Sequence, residues 1–140
     1  MKTLGVHHVG LAVSNLDTST AFFVEVLGWK VARELPAYPA RFVTNGIAFL
    51  TLWQTNSGAL PFDRKQHVGL HHVAIRVESE ADLIALHQRA ATFPGVTSEF
   101  APELQGGGPN KHCMLYEPSG VRIELVWAPA PPVAAGPSAG

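Results

Sequence analysis

Two short histidine-bearing phrases in this chain are near copies of one another. Residues 6–13 are VHHVGLAV and residues 70–77 are LHHVAIRV, so the phrase returns 64 residues later. Both copies alternate in side-chain size and are rich in aliphatic and β-branched residues, which predicts strands. A repeat of this spacing indicates two copies of one small folding unit. Two imidazoles carried on matched strands are suited to holding one metal ion.

The alternation of side chains along a strand sorts these residues between two faces. In both copies the second histidine, His8 or His72, shares a face with small residues, whereas the aliphatic face belongs against a helix. On the last predicted strand, Ile123 and Leu125 form the bulky face and leave Glu124 on the opposite one. We therefore predict that both histidines and this glutamate lie on the roomy side of the sheet.

Two imidazoles and a carboxylate form a good donor set for a divalent transition metal. Three protein ligands leave coordination positions open for water, substrate or dioxygen. The predicted cofactor is one divalent ion, with Fe, Mn, Zn and Ni as the alternatives. The first histidine of each copy, His7 or His71, falls on the bulky face, where packing or hydrogen bonding near the strand start is expected.

Two arginines share the faces of the predicted ligands. Arg76 lies with His72, and Arg122 lies with Glu124. They are candidates for binding an anionic group of the substrate, the alternative being an ion pair with a carboxylate or exposure at the rim.

The elements that position these residues follow the order βαβββ in each half. Helices are predicted at 17–27, capped by Asp17, and at 80–91, opened by a capping box at Ser79. Strands are expected at 6–13 and 70–77, and further along the chain at 29–34, 40–45, 47–54, 96–101, 112–116 and 120–127. Asn45-Gly46 favours a hairpin turn.

Composition narrows the class of protein. The 140 residues carry 10 Lys or Arg and 11 Asp or Glu, interspersed, which gives no footprint for nucleic acid or an anionic membrane. The single cysteine, Cys113, excludes a disulfide within the chain, and no apolar run approaches the length of a membrane span. We expect a cytoplasmic protein with one domain at 1–128, composed of modules at about 5–54 and 69–128, and a disordered tail at 129–140.

These residues resemble the vicinal oxygen chelate superfamily, which includes glyoxalases, bleomycin-resistance proteins and extradiol dioxygenases. The phrases HVGLAV from His8, HVAI from His72 and PSGVRIE ending at Glu124 look like its three ligand-bearing segments. The resemblance covers residues 5–128. It implies an α+β fold in which two βαβββ modules form an open, cup-shaped mixed sheet with flanking helices. It also implies a homodimer with two sites.

Departures from this superfamily narrow the expected chemistry. Glyoxalase I places a fourth ligand, a carboxylate, where this chain has Leu50 or Thr51, so a four-ligand site is not expected. Extradiol dioxygenases and thiol transferases carry a tyrosine where this chain has Met114. His112 and Tyr116 share a face with Met114, and either is a candidate for the catalytic acid, base or hydrogen-bond donor.

Three further features have alternative interpretations. The loop at 105–111 is either a lid over the site or a plain flexible connection. Trp53 and Trp127 occupy matching repeat positions when the glycines are aligned, and both are predicted on the helix-facing side, for packing in the core or a dimer in preference to stacking on a substrate. Cys113 is predicted as a small buried residue and not as a nucleophile.

The function expected from the sequence is that of a metal-dependent enzyme acting on a small oxygenated substrate, a dioxygenase or lyase in preference to a glyoxalase-like isomerase. The alternative from another class is a metal-free protein that sequesters a small molecule or drug in the same cup. A small interaction domain with a vestigial site is the third possibility.

Overall fold

The computed structural model describes residues 1–130, which form two modules with the same order of elements. In the first module a π-helical turn continues the helix: β1 Val9–Val13, α1 Leu16–Ala21, the π turn Phe22–Val26, β2 Lys30–Leu35, β3 Ala40–Thr44 and β4 Phe49–Gln54. The second module contains β5 Val73–Arg76, α2 Glu80–Ala91, β6 Thr97–Leu104, β7 Lys111–Tyr116 and β8 Arg122–Trp127. Most of the predicted tail, from residue 131 on, lies outside the described residues.

Each module forms its own four-stranded mixed sheet. The strand order is β1-β4-β3-β2 in the first and β5-β8-β7-β6 in the second. The first strand of each module runs parallel to the last, and the other neighbours are antiparallel. Parallel neighbours require a crossover connection, which the helix of each module begins. The predicted α+β fold of two βαβββ modules is confirmed: the sheets are open and not closed, and β1 and β5 both lie at sheet edges.

The N-terminal cap was predicted correctly from the sequence for α2 but not for α1. Ser79 caps α2 as predicted, because its Oγ accepts the backbone N–H of Asp82 at 3.0 Å. For α1 the prediction of Asp17 as the cap is wrong: Asn15 is the N-cap and accepts the backbone N–H of Thr18 at 3.0 Å. Asp17 lies inside the first turn, where its carboxylate pairs with Arg41 at 2.6 Å.

The hairpin predicted at Asn45-Gly46 joins β3 to β4. Thr44 is paired with Phe49, so the loop is residues 45–48. The side-chain oxygen of Asn45 accepts the backbone N–H groups of Ile47 at 3.0 Å and Ala48 at 2.8 Å. This local capping of loop donors explains why asparagine favours such turns.

The aliphatic faces of both sheets pack with the helices into one shared core. Buried members come from both modules and include Leu11, Leu52, Phe22, Leu83, Leu115, Ile123 and Leu125. Burying each such side chain contributes about 1.5–3 kcal/mol before entropy costs are subtracted. Arg89 of α2 also donates to the carbonyl of Val26 at 3.0 Å, which ties the two modules together. No helix within residues 1–130 is long and apolar enough to cross a membrane.

Candidate functional site

Glu124 lies in the middle of β8, on the face that points away from the core. It is paired with Ala74 on one side and Met114 on the other, while its neighbours Ile123 and Leu125 are fully buried in the core. The glutamate itself is only 4% exposed. The alternation predicted for this strand is therefore confirmed, and it places a carboxylate in a largely water-excluded position.

His72 faces one oxygen of this carboxylate. The imidazole Nε2 lies 3.1 Å from Oε2 of Glu124, and Nδ1 lies 2.7 Å from Nδ1 of His71. One ring nitrogen is thus engaged with a neighbour while the other is directed at the glutamate. In a metal-bound histidine the nitrogen that does not bind the metal is usually hydrogen-bonded, which fixes the tautomer and the ring orientation.

The other oxygen of Glu124 is held by two donors. Nδ1 of His112 lies 2.6 Å from Oε1, and Nε2 of Gln105 donates to the same oxygen at 3.0 Å. The ring of His112 also packs against Phe100, with centroids 5.0 Å apart. Gln105 was not among the predicted site residues. Its position at the start of a glycine-rich loop was visible in the sequence, but the reach of its side chain to β8 was not.

His8 has the same local setting as His72, since its Nδ1 lies 2.8 Å from Nδ1 of His7. However, the structure does not bring it to the glutamate: within residues 1–130, no three His, Cys, Asp or Glu side chains are grouped so as to hold a metal. The hydrogen bonding expected of His7 and His71 near the strand starts is confirmed. The strands themselves begin at Val9 and Val73, so strand alternation does not assign a face to these two histidines, nor to His8 and His72.

Thr51 is the first module's counterpart of Glu124. The register pairs Thr51 with Gly10, as Glu124 pairs with Ala74, and this excludes Leu50, which lies in the core. The hydroxyl of Thr51 accepts the indole N–H of Trp53 at 2.8 Å. Threonine has no carboxylate, so the first module supplies no ligand equivalent to Glu124 at this position.

The same register corrects the prediction for Trp53. Its alignment with Trp127 by glycines is off by one residue, and Gln54 is the true counterpart of Trp127. The indole of Trp53 consequently lies on the face of Gly10, against Tyr38 and Phe42 with centroids 5.1 and 5.8 Å away. Of Trp53 and Trp127, only Trp127 packs against the core.

Tyr116 belongs to a charged network beside the glutamate. Its hydroxyl accepts from Arg64 at 2.6 Å, Arg64 also reaches Glu99 at 3.3 Å, and Nε of Arg122 donates to Glu99 at 2.7 Å. Hydrogen bonding from Arg122, against a smaller effect of burial, lowers the pKa of Glu99. Arg122 is only 7% exposed and forms an ion pair with Glu99. An ion pair with a carboxylate was one of the two alternatives predicted for this arginine.

Arg76 lies on the other side of the predicted site. It is paired with Val126, two pairs along from the Ala74–Glu124 pair, and its side chain is exposed, without an ion pair to another described residue. Together with His7, His8 and Ala74 it lines an open groove of about 1170 Å³ along the edges of the two sheets. The residues that line this groove do not include His72 or Glu124.

Two of the three predicted donors, His72 and Glu124, lie together and are of types that bind a divalent metal. Glu124 is buried, and among the described residues its ion-pair partners are His72 and His112, with no lysine or arginine. A buried carboxylate without a cation carries a large desolvation cost unless it is paired, protonated or bound to metal. An imidazole Nε2 and a carboxylate oxygen that face each other are the donors that such an ion uses.

Comparison with known proteins assigns the family. The sequence profile of the Glyoxalase/Bleomycin resistance protein/Dioxygenase superfamily matches residues 5–125. This chain belongs to that superfamily, as the paired phrases indicated.

One curated relative is 31% identical over an alignment of 151 positions that covers 91% of this chain and 81% of the relative. It is a 2-epi-5-epi-valiolone epimerase from Actinomyces sp..

Solved structures share the fold across nearly the whole chain. A glyoxylase/bleomycin resistance protein/dioxygenase domain from Frankia sp. EAN1pec superposes with a TM-score of 0.77 at 25% identity, covering 91% of this chain and 99% of that one. A lactoylglutathione lyase from Agrobacterium tumefaciens gives 0.67 at 18% identity, with coverages of 91% and 96%. A fosfomycin resistance protein from Listeria monocytogenes gives 0.70 at 16%, with coverages of 91% and 95%.

Proposed function

We propose that this protein is a homodimeric metalloenzyme that acts on a small oxygenated substrate. The metal ligands would be His72 and Glu124 of one subunit and the partner's His8. The observation that carries this proposal is the buried carboxylate of Glu124, which faces Nε2 of His72 without a lysine or arginine to neutralise it. When bound, a divalent ion supplies a Lewis acid that polarises substrate oxygens.

The protein's own residues supply proton transfer and binding. Nδ1 of His112 is held by Glu124, which leaves Nε2 to take a proton from the substrate or return one. Tyr116 accepts a hydrogen bond from Arg64, which fixes its hydroxyl within the same face of the sheet. Arg76 and Arg122 are the candidates for contacting the substrate, and the exposed side chain of Arg76 makes it the stronger one.

The reaction class best supported is proton transfer at a carbon beside a carbonyl of a hydroxylated compound. The relative at 31% identity is an epimerase, and His112 is placed as an acid or base next to the proposed metal ligands. The dioxygenase or lyase reaction expected from the sequence is the second candidate, because a three-ligand site leaves coordination positions open.

A solvent-exchange experiment separates these reactions. The metal-loaded protein is incubated in D2O with a set of cyclic polyhydroxy ketones, and NMR follows deuterium entering at the carbon beside the carbonyl. Uptake that disappears in His112→Ala supports proton transfer. Oxygen consumption, or cleavage of the substrate without exchange, would replace that reaction with the second candidate.

Metal content is the first test of the enzyme proposal. We expect close to one divalent ion per chain by elemental analysis, and a large loss in His8→Ala, His72→Ala and Glu124→Ala. His67→Ala is the matched control, since His67 is an exposed histidine outside the site. A wild-type protein that binds no ion, yet binds small molecules in the groove, would establish the metal-free sequestering function instead.

The incomplete site within one chain supports the proposed dimer. His8 does not join the other two proposed ligands, and both β1 and β5 have an open edge. Exposed apolar side chains lie beside these edges: Leu4, Val6, Ile47 and Val68 are each more than 80% exposed. A second copy that covers these surfaces would bring its His8 to the His72–Glu124 pair and create two equivalent sites.

Paired variants test whether the site is shared. A heterodimer of one His8→Ala chain and one His72→Ala chain, isolated with two different tags, keeps one intact site if ligands come from both subunits. It should bind about half the metal of the wild type, although each parent homodimer binds little. The control pairs a wild-type chain with a chain carrying both substitutions, which should bind little. The reverse result, metal in the control only, would place the site within one chain.

A further inference from the structure

The loop between β6 and β7 holds a side chain directly on the proposed metal carboxylate. Gln105 follows the last residue of β6, and its Nε2 donates to Oε1 of Glu124 at 3.0 Å. Nδ1 of His112 lies 2.6 Å from the same oxygen. Oε1 of the carboxylate therefore has two hydrogen-bond partners, whereas Oε2 lies 3.1 Å from Nε2 of His72.

The backbone of the loop is arranged around this glutamine. The N–H of Gln105 donates to the carbonyl of Asn110 at 2.9 Å, and the N–H of Gly108 donates to the carbonyl of Gln105 at 2.9 Å. Gly106, Gly107 and Gly108 have φ angles of +56°, +90° and +95°, a conformation that side-chain-bearing residues rarely adopt. The glycines thus allow the backbone of the loop to adopt the conformation that holds Gln105 in position.

A second side chain fixes which end of the amide meets the glutamate. Nδ2 of Asn110 donates to Oε1 of Gln105 at 3.3 Å. The carbonyl end of the Gln105 amide is thereby occupied, and its NH2 end is turned towards Glu124. In this series of hydrogen bonds Asn110 donates to Gln105, and Gln105 donates to Glu124.

We propose that Gln105 is a positioning residue for the metal-binding carboxylate, and that Asn110 positions Gln105 in turn. This inference rests on the metal site proposed above. By holding Oε1, Gln105 stops the carboxylate from rotating and presents Oε2 on the side of His72. An amide is suited to this task because it donates a hydrogen bond without cancelling the negative charge that attracts the cation.

The consequence is a measurable contribution to metal affinity. Removing a partner that orients a metal ligand typically weakens metal binding about 10- to 100-fold. Because His112 also contacts Oε1, we expect the lower end of this range, about 10-fold, for loss of Gln105. Loss of Asn110 leaves the glutamine in place but free to rotate, so a smaller weakening is expected.

The test compares Gln105→Met, Asn110→Ala and the control Gln88→Ala, an exposed glutamine on α2. Methionine keeps the length and volume of glutamine but cannot donate. Affinities for Zn²⁺ are measured by competition with a chromophoric chelator, and thermal unfolding of the metal-free proteins checks the fold. The absorption spectrum of Co²⁺-loaded protein reports ligand geometry and should change in Gln105→Met but not in the control.

The outcomes separate this inference from the proposed function. A wild-type protein that binds no metal overturns both. A wild-type protein that binds metal, with Gln105→Met and Asn110→Ala both within twofold of it and unchanged Co²⁺ spectra, overturns only the positioning role. Support requires weaker binding in Gln105→Met with a normal unfolding temperature. If that variant unfolds, Asn110→Ala decides the question, because it leaves Gln105 itself intact.

Discussion

Ser19 and Glu117, 98 residues apart, meet inside the core, where the serine hydroxyl donates to the glutamate Oε2 at 2.6 Å. The first residue comes from α1 and the second from the turn before β8, so their contact joins the two modules. Oε1 of the same carboxylate accepts the backbone N–H groups of Ser119 at 2.8 Å and Val121 at 3.0 Å. Burial, only partly opposed by these hydrogen bonds, raises the pKa of Glu117.

This buried acid predicts a specific pH dependence of stability. Because the folded-state pKa lies above the ordinary value of 4.5, the contribution of Glu117 is fully present below that value and is lost as pH rises through the higher folded pKa. Glu117→Gln, which keeps the acceptor for both backbone donors, should gain stability relative to the wild type as pH rises from about 4 to neutral. Urea unfolding at several pH values measures this difference.

Glu117→Ala is the contrasting variant. It leaves three donors without this acceptor, and we expect a loss on the order of 2–3 kcal/mol near pH 4, which becomes smaller towards neutral pH as the wild type loses the contribution of Glu117. A difference between wild type and Glu117→Gln that stays constant with pH would contradict the raised pKa.

Glu99 predicts the opposite pH behaviour. Its pKa is lowered, chiefly by the hydrogen bond from Arg122, so its stabilisation is present above the ordinary value of 4.5 and is lost as pH falls through the lower folded pKa. Glu99→Gln should therefore cost about 1–2 kcal/mol near neutral pH, because it removes a charged hydrogen-bond partner from Arg122. The cost should shrink below pH 4 in acid-unfolding curves. An equal cost at both extremes would show that lost packing is responsible.

Gly10 predicts a steric coupling across the first sheet. A Cβ added there would lie 3.2 Å from Oγ1 of Thr51 and 3.5 Å from the indole nitrogen of Trp53. We expect Gly10→Ala to destabilise the protein by about 1 kcal/mol through overpacking. In Thr51→Ala the hydroxyl is gone, so the additional cost of Gly10→Ala should fall. A double-mutant cycle measured by chemical unfolding tests this, and additive effects would refute the contact.

The thiol of Cys113 should be protected from chemical modification in the folded protein. It is fully buried on the core face of β7, and desolvation by burial raises its pKa to about 11. A thiol with this pKa and no exposure should react with a disulfide reagent at pH 8 only as fast as the protein opens. The reaction rate should increase with urea along the unfolding curve. Rapid stoichiometric labelling of the native protein would contradict this prediction.

The sequence predicted best where the signal was local. Strand alternation placed Glu124 opposite Ile123 and Leu125, and Ser79 capped α2, because both depend on neighbours within a few residues. The prediction was wrong by small shifts at element ends. Asn15 and Asp17 both suit a helix start, and the local pattern does not decide between two polar residues so close together. Trp53 was placed on the wrong face, because a glycine alignment does not fix strand register.

Contacts between distant segments were beyond the sequence. Gln105 and Glu124 are 19 residues apart and meet only because a folded loop returns the amide to β8. Arg64 lies in the connection between the modules, which has no periodicity, yet its guanidinium reaches the hydroxyl of Tyr116. Neither contact leaves a pattern in the spacing of residues, since each depends on the path of a loop.

The sequence by itself determined the duplicated βαβββ order, the family and the side-chain face of Glu124, because these follow from periodicity and from short phrases read along one strand. The tertiary structure alone decided which residues meet. It joined His72, His112 and Gln105 on one carboxylate and did not bring His8 to it. The physical reason is that alternation fixes a side chain's direction, whereas the distance between two side chains depends on how sheets, loops and modules pack.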